Sequence, residues 1–383
     1  MIRLTTIVMV TAWLMGCSTI GDWFAADTVE PPAPLPELST AKEILRAIWT
    51  TSGGSGAAQQ FLRLRPIVIE DRVVVSNADG VVAAYNKSSG EQLWRTETSI
   101  ALSGGCGGGD DLIVVGGSEG EVVALNFKDG KERWRASLSS EILAPPAIAD
   151  GIVVVRAIDG RVTALSAVDG SRLWVFSRTV PILSLRGTSA PLIARGVVFV
   201  GLDSGQLVAL NLQDGRSIWE AVVAVPKGRS ELERMVDIDA DPVLLDDTLY
   251  VSASQGRVVA IDTTNGQLRW SREISSIAGL GVDREHVYLT DEESVIWGLD
   301  RATGAALWRQ DALRNRALTA PTPHGNSVVV GDLDGYLHAL SREDGKILGR
   351  FYLEGNSILT APLNQGAMLY VVDGDGTIAA LKN

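Results

Sequence analysis

The chain is built on a repeat. Five residues after Gly80 stands Tyr85, ten after it a second glycine, Gly90, and fourteen after it a tryptophan, Trp94. The frame returns at Gly120-Leu125-Gly130-Trp134, Gly160-Leu165-Gly170-Trp174, Gly205-Leu210-Gly215-Trp219 and Gly256-Ile261-Gly266-Trp270. It recurs with substitutions at Ser294-Leu299-Gly304-Trp308 and Gly335-Leu340-Gly345-Gly349, and begins again at Gly376-Leu381. The intervals between first positions are 40, 40, 45, 51, 38, 41 and 41 residues. Self-similarity at this period means a propeller, a solenoid or an array, because one such unit cannot bury its own apolar face.

The unit chooses among these. Val81-Val82-Ala83-Ala84-Tyr85 is short, apolar and bounded by Asp79-Gly80 and Ser88-Ser89-Gly90, the pattern of a buried strand between tight turns. The Asp-Gly or Ser-Gly before such a run supplies the positive φ of a hairpin. A second β-branched run lies upstream in every repeat, as at Val73–Val75 and Ile152–Val155. About four short strands per 40 residues make one propeller blade. Helical repeats of this length need a 3.6-residue periodicity that is absent.

Closure follows from the ends. The eighth repeat lacks its Gly…Trp half, and Ala47-Ile48-Trp49 near the start lacks a first half. Trp49 to Trp94 is 45 residues, within the range of the other intervals. The N-terminal strand is therefore expected to complete the last blade, which removes the open edges of an unclosed ring. The prediction is all-β: an eight-bladed β-propeller of four-stranded blades over residues 45–383. Seven of the ten tryptophans (49, 94, 134, 174, 219, 270, 308) share one frame position, and their expected role is packing between blades rather than ligand stacking.

Before the propeller, residues 1–16 read as a secretory signal. Arg3 precedes an apolar run from Ile7 to Met15 that is too short to span a membrane. The run ends Leu14-Met15-Gly16-Cys17, which resembles a bacterial lipobox. That resemblance implies cleavage before Cys17 and acylation of that cysteine, with Ser18 implying sorting to the outer membrane. Residues 17–44 contain Glu30-Pro31-Pro32-Ala33-Pro34-Leu35-Pro36, an extended, semi-rigid tether. Acyl chains hold such an N-terminus stably, at about 0.8 kcal/mol for each buried methylene. With Cys17 acylated, Cys106 has no partner in the chain. It sits in Gly104-Gly105-Cys106-Gly107-Gly108-Gly109, where the backbone either passes another closely or turns with positive φ.

Charge and chemistry narrow the function. The formal net charge is −12 with no basic tract, which argues against nucleic acid and against adhesion to anionic lipid. The three histidines (286, 324, 338) fall in different repeats, and no pair has metal-ligand spacing. No nucleophile elbow is present, and the Gly-Gly pairs are not followed by helices. Asp110-Asp111 and Asp246-Asp247 precede strands and read as turn residues. No cofactor, metal or catalytic residue is expected.

Two adjacent intervals break the metre. The 45-residue interval contains Val180-Pro181-Ile182-Leu183-Ser184-Leu185-Arg186-Gly187-Thr188-Ser189-Ala190-Pro191, and the 51-residue interval contains the stretch from Pro226 to Pro242 through Glu231-Leu232-Glu233-Arg234-Met235-Val236-Asp237-Ile238-Asp239-Ala240-Asp241. Insertions in repeat folds map to one face and often mark where a partner binds. Both follow a frame tryptophan, so neighbouring blades present them side by side. Asp237, Asp239 and Asp241, if extended, share a face and repel one another unless a cation is near. Arg186 or Arg234 could supply it. The loops then bind a partner, or Arg186 braces them through Asp237 or Asp239, or a metal sits there, although Asp-Ile-Asp-Ala-Asp lacks the glycine and distal glutamate of a calcium loop.

The Ala-x-Leu then Asp-Gly-x-x-x-Trp repeat resembles the PQQ-enzyme-like propeller repeat. Together with the lipobox, the tether, Ser184-Leu185-Arg186-Gly187 and Glu233-Arg234-x-x-Asp237-x-Asp239, it resembles the BamB family, propeller lipoproteins of the outer-membrane β-barrel assembly machine. The resemblance covers essentially the whole chain. It implies a non-enzymatic scaffold on the periplasmic face of the outer membrane, lipid-anchored at Cys17 and monomeric within a hetero-oligomeric complex. It implies binding to the periplasmic (POTRA) domains of BamA through Leu183, Leu185, Arg186, Asp237 and Asp239, and contact with unfolded outer-membrane protein clients. Asp241 is a carboxylate beyond the family pattern. The alternative, a PQQ-dependent dehydrogenase, lacks its vicinal cysteine pair and a recognisable trio of calcium ligands.

Overall fold

The computed structural model describes residues 30–38, 44–57, 60, 62–181, 183, 187–227, 229–230 and 234–383. Their strands form eight four-stranded antiparallel sheets, and seven of these are continuous in sequence. Blade 1 is typical: Ile67–Ile69 is innermost, followed outward by Arg72–Ser76, Val81–Asn86 and Gln92–Glu97. The two middle strands are buried on both faces, which is why they read as unbroken apolar runs. In the eighth sheet Leu363–Gln365, Met368–Val372 and Thr377–Lys382 take their outermost strand from the other end of the domain, Arg46–Ser52. Its register sets Arg46 opposite Lys382 and Ser52 opposite Thr377. The innermost strand of blade 8 touches that of blade 1, so the ring is closed as the repeat count predicts.

The repeat frame encodes the seams between blades. Each frame tryptophan lies on an outermost strand, opposite a small residue of the neighbouring strand: Ala84 for Trp94, Ala124 for Trp134, Gly298 for Trp308. A β-bulge just beyond makes room for the indole. Its ring reaches the next blade, where Nε1 donates to a backbone carbonyl at 2.8–3.1 Å at seven seams, for example Trp94 to Phe127 and Trp134 to Ala167. Beneath each ring lies the second glycine of the next repeat, at φ of +68° to +73°. A Cβ there would stand 2.5–2.7 Å from the indole. That glycine is thus required twice, for the left-handed turn and for the approach of the ring.

The eighth seam differs, and so does its sequence. Blade 8 has no turn between its two outer strands, because the chain enters the outermost one from the N-terminal side. A tryptophan on blade 7 would have no glycine to rest on, and Gly349 stands in its place opposite Ala339. Leu45 fills the gap, 2% exposed among Leu337, Leu353, Ile358 and Leu369, with Ile44 beside it.

Cys106 is buried in the core between blades 1 and 2, and burial pushes its thiol up to about 12. Of the two readings of the surrounding glycines, close passage holds. Gly107–Gly109 is the innermost strand of blade 2, and a Cβ on Gly107 would meet the Pro146 carbonyl at 2.0 Å. No residue from 104 to 109 has positive φ.

Candidate partner-binding face

Connections from the outermost strand of one blade to the innermost strand of the next all open on one face. Both long insertions are such connections, 178–191 leading into blade 4 and 223–242 into blade 5. They are neighbours, and they touch. A Cβ on Gly187 of the first would stand 2.7 Å from the Asp239 carboxylate of the second. The Ala190 amide of the first donates to Asp241 Oδ1 of the second at 2.6 Å. Asp237 forms an antiparallel bridge with Ser254, whose amide donates to the Asp237 carbonyl at 2.8 Å, and this ties the second loop to blade 5.

The expected carboxylates point inward. Asp237 is fully buried and Asp239 is 5% exposed. Beside Asp239 lies the guanidinium of Arg156, at the end of the strand Ile152–Arg156 in blade 3 and 1% exposed. Arg156 Nη1 donates to Ser189 Oγ at 3.1 Å and Nη2 to the Asp203 carboxylate. Burial raises the Asp203 carboxyl, against the pull of Arg156 and of a hydrogen bond with Asp237. Burial likewise pushes Asp239 up to about 6, with Arg156 and Arg63 opposing and Asp203 reinforcing the shift. No hydrogen bond reaches the Asp239 carboxylate from the described residues. Arg156 thus pairs with Asp203 and acts on Asp239, Asp237 is hydrogen-bonded to Asp203, and the cluster joins the ends of both loops to blades 3 and 4.

Asp241 is a separate hub. Beside the Ala190 amide it pairs with Arg65 Nη1 at 2.7 Å, each side chain about one-third exposed. Arg65 comes from 53–66, the connection between the ring-closing strand and blade 1. This third long connection is missed when the 45-residue step from Trp49 to Trp94 is taken as ordinary spacing. It reaches Gly105, Leu143, Asp241, Ile277 and Leu359, which lie on the connections entering five different blades. Only a segment lying over the ring axis can touch them all. Its own Leu62 and Leu64 are buried, and Arg63 Nη1 donates to the Ile277 carbonyl at 3.3 Å. The segment therefore caps the central channel on the face that carries the two insertions.

Of the residues singled out from sequence, Leu183 is on the surface at 46% exposure. Asp237 and Asp239 are brought together under the loops. Leu185, Arg186 and Cys17 lie outside the described residues. Arg234 is exposed; among the described residues, Arg156 and Arg63 act on Asp239 and Arg65 pairs with Asp241. No group of three or more side chains able to hold a metal ion occurs among the described residues. Arg156 had a legible signal. Four residues before the first glycine of the frame, the other repeats carry Ser76, Gly116, Gly201, Ser252, Thr290, Gly331 and Val372, and only this one carries a charge.

The family model described as outer membrane protein assembly factor BamB matches residues 78–310 and 293–383. A curated relative from Alkalilimnicola ehrlichii, named outer membrane protein assembly factor BamB, is 50% identical over 306 residues, covering 79% of this chain and 80% of its own. The crystal structure of BamB from Moraxella catarrhalis superposes with a TM-score of 0.82 at 26% identity, over 89% of this chain and all of that one. The quinohemoprotein alcohol dehydrogenase of Comamonas testosteroni superposes with a TM-score of 0.70 at 15% identity, over 89% of this chain and 76% of that one, a likeness of fold alone. Repeat, closure, paired loops and these similarities converge: the chain belongs to the family of outer membrane protein assembly factor BamB.

Proposed function

We propose that this chain is a binding scaffold in outer-membrane protein assembly, anchored to the periplasmic face of the outer membrane by an acylated Cys17. It engages the periplasmic domains of BamA through the 178–191 and 223–242 loops. The observation that carries this reading is the pairing of those two loops on one face of the ring in a chain of this family. Leu183 is exposed on the first loop and supplies contact. Leu185 and Arg186 are assigned to the same contact by the family resemblance. Asp237 and Asp239, being buried, act from beneath and set the shape of the loops. The chain works by binding and not by turnover; the dehydrogenase likeness supports a shared scaffold only.

Because Asp237 and Asp239 are buried, substituting them confounds binding with folding. Leu183→Asp is the cleaner test. Full burial of a leucine is worth about 1.5–3 kcal/mol, so affinity for purified BamA periplasmic domains should fall roughly 10- to 100-fold while the unfolding midpoint stays put. A photo-crosslinking residue at Leu185 in cells should capture BamA. Unchanged affinity together with crosslinks to many nascent barrel proteins would make this a client-binding face instead.

A further inference from the structure

The proline-containing stretch 30–38 does not leave the propeller as a free tether. The Ala33 amide donates to the Arg314 carbonyl at 2.9 Å, and Arg316 Nη1 donates back to the Ala33 carbonyl at 3.0 Å. Farther along, Arg350 donates to the Pro36 carbonyl. Ala33 and Leu35 are half-buried while Pro34 between them is exposed, the alternation of an extended strand lying on a surface.

The receiving side is built for this. Arg316 is 3% exposed, and its guanidinium is oriented by Asp332, at 2.8 Å from Nε, and by Asp334. Asp332 is itself held by His338 Nε2 at 2.9 Å, with both side chains fully buried. The residues flanking Arg316, Asn315 and Ala317, sit at φ of +57° and +48°. Such backbone is costly for non-glycine residues and persists only where the surroundings impose it. Here it turns Arg316 inward. Proline favours the extended conformation and gives up an amide, so a segment whose carbonyls are its main handles suits a row of arginine donors.

We infer that the edge of blades 6 and 7 is a binding site for an extended, proline-containing segment, occupied by the chain's own residues 30–38, which clip the tether to the ring. The consequence rests on the reading of Cys17 as the anchor. Arg314 and Arg316 lie in 311–321, a connection of the same class as the two partner loops, so the chain leaves for the membrane from the loop face. With the clip closed, the sixteen steps from Cys17 to Ala33 span at most ~55 Å. Released as far as Leu45, the tether spans up to ~100 Å. The clip thus sets both the height of the ring above the membrane and its orientation.

The test uses the full-length chain in detergent, in a Cys17→Ser background, with spin labels at Glu30→Cys and Glu343→Cys; Cys106 is buried and stays unlabelled. Electron–electron distance measurement should give one narrow distribution. Ala33→Pro removes the amide that Arg314 accepts and leaves every bond within the ring intact, so it should broaden the distribution. A parent as broad as the variant, or a variant as narrow as the parent, overturns the clip. Fractionation of the Cys17→Ser chain tests the anchor separately: outer-membrane retention would refute the anchor while leaving the clip to the distance measurement.

Discussion

The seams offer a quantitative test. Trp134 is 7% exposed and Gly170 lies under it, with a Cβ at that position 2.5 Å from the indole Cε3 and all three nearest atoms belonging to the ring. Trp134→Ala should cost about 3–5 kcal/mol, the usual range for truncating a buried aromatic. Gly170→Ala meets two penalties. An alanine at φ +72° costs about 1–2 kcal/mol for the left-handed backbone. Forcing a methyl against the ring adds about 1–3 kcal/mol. In the double variant the second penalty vanishes with the ring, so urea unfolding should find the pair less damaging than the sum of the singles by about 1–3 kcal/mol. Gly151 is the control: its φ is +76° but nothing lies within 4 Å of its Cβ position. Gly151→Ala should cost only the backbone penalty and show no coupling to Trp134→Ala. Additivity of Trp134→Ala and Gly170→Ala within about 0.5 kcal/mol would refute the double role of the frame glycine.

Two further outcomes concern the loop face. Asp241→Asn should leave global stability within about 1 kcal/mol, since its pair with Arg65 is partly solvated; it should instead speed amide exchange at Ala190 and through 62–66 several-fold, and unchanged exchange would dissolve the hub. Asp239 is held at about 6, so between pH 4 and 6 the folded chain keeps a proton that the unfolded chain releases, and stability falls as pH rises through that window. Asp239→Asn should remove most of that slope and be more stable at pH 7 by on the order of 2–3 kcal/mol; urea midpoints across the window that track the parent would place the carboxylate elsewhere.

Blade count, strand order and ring closure were readable because they follow from a periodic pattern: the second frame glycine and the tryptophan repeat the same local arrangement at seven seams. The two long loops were readable as breaks in that period, and their adjacency as a consequence of frame position. What those loops rest on was not. Arg156 reaches Asp203 and Ser189 across blades, and Arg65 reaches Asp241 across the ring axis, pairings with no fixed sequence offset. Periodicity predicts that three alternating aspartates share a face but not where each carboxylate goes: Asp237 and Asp239 are buried, while Asp241 is part-exposed and pairs with Arg65. Residues 30–38 were misleading for another reason. Composition says that a proline-rich stretch has no core of its own; it is silent on whether three arginines elsewhere wait to receive it.

The strand Arg46–Ser52 is the first of the domain to be synthesised, and its partner Thr377–Lys382 is the last. Individual blades form from neighbouring hairpins, but the ring itself closes through a contact between the two extremes of the domain, a slow step for a folding chain. Until it closes, one orphan strand and one bare sheet edge coexist in every molecule. Crowded nascent chains can satisfy both by exchanging first strands, which yields swapped dimers or open-ended oligomers with native blades. Yield of the monomer should therefore depend on the rate of synthesis more steeply than the stability of the finished ring suggests.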